Sequence, residues 1–72
     1  MASVTQQIAS RALAEYASYS LHSSLSMAAH DLGYGAAGGE YADALATCLA
    51  IAHTTEHQST PQVLAAAAGL AD

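Results

Sequence analysis

Apolar residues along this chain recur at spacings of three and four, with no stretch of strict alternation, which is the period of helices rather than strands. At about 100° per residue, the first half carries two stripes. One runs Leu13, Ala17, Leu21, Leu25, Ala28 and Leu32; the opposite one runs Val4, Ile8, Ala12, Glu15, Tyr19, His22, Ser26 and Ala29. The pattern predicts one long helix over about residues 3–32. It opens on Ser3-x-x-Gln6, the spacing of a capping box. It stops at Gly33, which can take the left-handed conformation that ends helices.

The stretch "GYGAAGG" (33–39) reads as the turn of a helical hairpin. A second helix is expected over about residues 40–57, with Glu40 favourably placed against its N-terminal dipole. Its stripe is Tyr41, Leu45, Cys48, Leu49 and Ala52, with the small residues Ala42, Ala46 and Ala50 on the shoulder. In "QSTPQV", Thr60 fits an N-cap and Pro61 a first helical position, so a short third helix should occupy about 61–70. Val63, Leu64, Ala67 and Leu70 give it one apolar stripe. The expected fold class is therefore all-α, one domain over residues 1–72, made of a helical hairpin plus a short third helix.

Composition changes the picture by making the hairpin look incomplete. Of the 72 residues, 53% are hydrophobic and only 10% charged, against about 25% charged in ordinary soluble domains. Cys48 is the single cysteine, so no disulfide can form within the chain. Small domains need such a staple, a metal or a partner. Burying one more stripe of about six side chains would supply close to 10 kcal/mol before entropy costs, as much as the whole net stability of a small domain. The hairpin is thus expected to complete a helical bundle by oligomerisation. Ile8, Leu13, Tyr19, Leu21, Leu25, Leu32, Tyr41, Leu45 and Leu49 are the candidate interface residues.

Charge excludes some partners. The formal net charge is −5, and Arg11 is the only Lys or Arg. Nucleic acids and anionic lipid surfaces are bound chiefly through such cations, so neither is expected as a partner. The longest apolar run, near Tyr41–Ala52, is too short to span a bilayer. No signal-peptide pattern opens the sequence, which leaves a cytoplasmic location as the expectation. The glycine-rich turn joins two helices and no Lys follows it, unlike a phosphate-binding loop.

The candidate chemistry lies in "AHTTEHQSTP". If the hairpin turns near Ala36, residues whose numbers sum to about 72 are level, which sets Glu15 beside His57 and Tyr19 beside His53. Glu15, His22, His53, Glu56 and His57 would then form one layer, with imidazoles and carboxylates at helical spacing as iron or zinc requires. The competing reading makes Glu15 an i, i+4 partner of Arg11 and the histidines a polar helix end. "HTTEH" matches the H-x-x-E-H string of inverted zinc proteases, which need a far larger body and a distant third ligand.

"LAEYASYSLHSSLSMAAHDLGYG" followed by "LATCLAIAHTTEH" loosely resembles one hairpin of the ferritin-like, rubrerythrin-type proteins. The resemblance implies a four-helix bundle from two hairpins, with Glu15 as an iron ligand. Where the family's Glu-x-x-His would place its glutamate, this chain has Thr54. Two functions follow as expectations. The first is a small non-enzymatic assembly or accessory subunit that associates with itself or a larger protein and needs no cofactor. The second is a metal-binding half-bundle holding iron or zinc. Four histidines in a chain poor in other cations make a pH switch a third reading.

Overall fold

The computed structural model describes residues 3–35, 38–54 and 59–69, and among these it is all-helical. Four helices follow one another: α1 (Val4–Tyr16), α2 (Leu21–Asp31), α3 (Glu40–Thr54) and α4 (Thr60–Ala67). The single long helix expected over 3–32 is two helices, separated at residues 17–20.

The break has a physical cause. The buried residues of α1 are Ile8, Ala9 and Ala12, and the buried apolar residues of α2 are Leu25, Ala28 and Ala29. On one straight helix Ile8 and Ala12 would point to nearly the opposite side from Leu25 and Ala28. A straight helix from Val4 to Asp31 would also measure about 42 Å, longer than the molecule's greatest extent of 30 Å. Bending lets both groups reach one core. Ser20 makes the bend local: its backbone is extended, and its hydroxyl accepts from the Ser23 N–H at 3.2 Å, capping α2. On the other side, the Tyr19 N–H donates to the Tyr16 carbonyl and closes the end of α1.

The other expected signals sit close to where the sequence puts them. Ser3 and Gln6 form the capping box, with the Gln6 N–H donating to Ser3 Oγ at 3.1 Å and the Ser3 N–H to Gln6 Oε1 at 2.8 Å. Gly33 has φ +86° and ends α2, with the Tyr34 N–H donating to the Ala29 carbonyl at 2.9 Å. The cap of α4 is Ser59 rather than Thr60, one residue earlier than expected, and Gln62 reaches back to accept from the Ser59 N–H at 2.9 Å. The last helix ends at Ala67, with Ala68 as its C-cap and Gly69 at φ +78°, about three residues short of the expected end near 70. The part of the second helix expected beyond Thr54 lies outside the described residues.

Helix α1 packs against all three others, and α3 against all three as well. Between them lies a core of Ile8, Ala9, Ala12, Leu25, Ala28, Ala29, Ala44, Cys48, Val63, Leu64 and Ala67. The core is alanine-rich, so the helices approach closely and a small number of larger side chains fill the gaps. Among the described residues Ser24 is the one buried polar residue, and its hydroxyl is satisfied by donating to the Leu21 carbonyl at 3.0 Å. Four short helices thus close a core within one chain, a closure the hairpin reading had assigned to a second copy.

Candidate functional site

The candidate residues separate into three environments. Of those expected at an interface, Ile8 and Leu25 are fully buried in the chain's own core. Leu13, Leu21, Tyr41 and Leu45 are half-buried and pack against that core. Tyr19, Leu32 and Leu49 remain exposed.

The proposed ligand layer relied on a straight first helix facing the second, and the break at residues 17–20 removes that register. Glu15 lies exposed near the end of α1, 3.8 Å from Arg11, in the i, i+4 pair that the sequence offers. His22 is in the first turns of α2 and His53 in the last turn of α3. Glu56 and His57 lie outside the described residues. Among the described residues, no group of three or more His, Cys, Asp or Glu side chains is gathered as a metal ion would need. Cys48 is fully buried, and burial pushes its thiol up, away from the thiolate a nucleophile or metal ligand requires.

What the structure does gather is a run of tyrosine, histidine and serine along α2 and the start of α3. Tyr19, His22, Ser23, Ser26, Met27 and Tyr41 line an open groove of about 410 Å³. A smaller recess of about 160 Å³, walled by His30, Tyr34 and Gly35, continues it and shares Ser26 and Tyr41. Three of the four tyrosines and two of the four histidines of the chain therefore share one surface. Among the described residues, the walls carry no Asp, Glu, Lys or Arg.

A chain of contacts that ties α1 to α2 leads to this groove. Arg11 Nε donates to Asp31 Oδ2 at 3.2 Å, and the Tyr16 hydroxyl donates to the same oxygen. The Tyr16 ring in turn meets Tyr19 edge-on, with centroids 6.1 Å apart and planes at 74°. The Tyr16 hydrogen bond, more than Arg11, holds the Asp31 carboxyl below its usual range, and the same bond raises the Tyr16 hydroxyl above its ordinary value. Tyr19 is 52% exposed yet braced from behind.

The sequence pattern places Tyr19, His22 and Ser26 together on one stripe, but that stripe leaves out His30, Tyr34 and Tyr41, which belong with them. For His30 the signal was present as the four-residue spacing of His22, Ser26 and His30. Only the fold adds Tyr34 and Tyr41, which come from beyond Gly33. No described helix is long and apolar enough to cross a membrane. No protein-family model, curated protein or solved structure matches this chain, so what the groove does has to be inferred from its own residues.

Proposed function

We propose that this chain is a small non-enzymatic helical assembly or accessory subunit, which associates as a folded unit with a second copy of itself or with a larger protein. The observation that carries the reading is the outer face of α3. Leu49 is 37% exposed there, on a face with the exposed residues Ala42, Ala46 and Ala50 and with His53 at its end. These positions fall within about a third of the helix circumference. An outward helix face normally carries charge; this one carries small and aliphatic side chains, with Asp43 and Thr47 to one side. Small residues let a second helix approach closely, and Leu49 supplies apolar area.

The scarcity of charge elsewhere fits the same reading. Arg11, the only fixed cation among the side chains, is engaged by Asp31 and Glu15. Sedimentation velocity across a concentration series tests the proposal. The natural chain should sediment faster as concentration rises, while Ala46→Glu and Leu49→Glu should hold the monomer value. A chain that stays monomeric into the millimolar range contradicts self-association.

A further inference from the structure

The geometry points to the tyrosine–histidine groove as a binding site for a proline-rich peptide segment with basic flanks. This goes beyond the association surface on α3 and is independent of it.

The shape of the groove selects the kind of ligand. Its larger part has room for a small molecule, but it is open along its length, whereas small-molecule sites enclose most of their ligand. An extended segment laid across both recesses covers more of the lining. The known modes of peptide capture then separate by chemistry. Adding a strand needs a sheet edge, and no strand is present among the described residues. Capturing a phosphorylated or acidic segment needs an arginine cluster, and Arg11, the only Lys or Arg of the chain, is already bound to Asp31. Seating an amphipathic helix needs a row of large aliphatic side chains, and Met27 is the only one among the described lining residues.

Polyproline remains, and the groove has what it requires. A polyproline II segment has no internal hydrogen bonds, so its carbonyls look outward for donors. Tyr19, Tyr34 and Tyr41 offer flat rings for the proline rings, and their hydroxyls, with Ser26 and the imidazoles, offer donors to the carbonyls. The edge-on contact with Tyr16 holds Tyr19 in place before any ligand arrives, which lowers the ordering cost of binding. The charge of the partner follows from the charge of this chain. With a net charge of −5 and Glu40 adjoining Tyr41 in the first turn of α3, flanking Lys or Arg is attracted and flanking Asp or Glu repelled.

The test is an amide-resolved NMR titration of the full chain with a synthetic peptide of about ten prolines flanked by arginines. Saturable shifts centred on Tyr19, His22, Ser26 and Tyr41 are expected. Tyr19→Ala should weaken binding about tenfold, the usual scale for truncating an aromatic anchor. Tyr19→Phe, which keeps the ring, should weaken it less. Ser26→Leu, which fills the wall common to both recesses, gives a second variant at an exposed helix position, and it should also weaken binding. Circular dichroism verifies that each variant keeps its helices.

Four outcomes overturn the inference. They are no saturation at millimolar peptide, equal binding of a glycine–serine peptide with the same flanks, shifts that map away from the groove, and preference for an amphipathic leucine-rich helical peptide.

Discussion

Arg11 and Asp31 stand twenty residues apart in sequence and 3.2 Å apart in space, and they tie the middle of α1 to the last residue of α2 across the bend. The Tyr16 hydroxyl donates to the same Asp31 oxygen, so one carboxylate holds together both helices that flank residues 17–20. An aspartate at a helix C-terminus faces the negative end of the dipole; here a guanidinium and a phenol offset that cost.

The pH dependence of stability follows with a definite sign. The Asp31 carboxyl is lowered in the fold, by Tyr16 first and Arg11 after it. Its contribution is present above the unfolded aspartate value of about 4 and disappears as pH falls through the lower folded value. Tyr16 is raised, so its share of the same hydrogen bond is present below about pH 10 and disappears as pH climbs through the raised value. Urea unfolding in steps below about pH 4 should show Asp31→Asn losing less stability to acid than the natural chain. Identical acid slopes would count against the clamp.

Core truncation should be costly because so few large side chains fill the interior. Leu25 and Leu64 are both fully buried. Replacing either with alanine should lower unfolding free energy by about 2–5 kcal/mol, and Ile8→Val by about 0.5–1.5 kcal/mol. Urea midpoints at unchanged slope are the measurement. A loss under about 1 kcal/mol for Leu64→Ala would mean that α4 does not pack as described.

The bend was readable in part. The two stripes of the first half were visible in the sequence, and Ile8 and Ala12 lie on one while Leu25 and Ala28 lie on the other. Both sets are apolar, and one straight helix cannot turn both toward one core. The stripe Leu13, Ala17, Leu21, Leu25 runs unbroken through the bend at helical spacing, and that favours a straight helix. Ser20, a good N-cap three residues before Ser23, was the local clue. Its weight is small against an alanine-rich background that favours helix. Capping at Ser3 and termination at Gly33 were legible because they need only neighbouring residues. The groove was not, because Tyr34 and Tyr41 reach it through a turn whose path no spacing rule specifies.

Ser20→Ala tests that clue directly. Loss of the hydroxyl that accepts from Ser23 should cost about 1 kcal/mol. Thermal melts followed by circular dichroism are sufficient to see it. No change in melting temperature would mean the cap does not hold the bend.

Gly33→Ala isolates a backbone effect. An added methyl group at Gly33 meets nothing within 4 Å, so no steric clash confuses the result. The φ of +86° is the whole penalty, about 1–2 kcal/mol for an L side chain held in the left-handed region. A variant as stable as the natural chain would show that α2 ends differently.

The central claim is that one chain closes its own core, with association following as an event between folded units. Far-ultraviolet circular dichroism on a dilution series, matched to sedimentation on the same samples, tests it most directly. The helical signal per residue should stay constant while the chain passes fully to monomer. Loss of helix in step with dissociation would contradict the claim, because it would mean that the second copy is needed to fold the first.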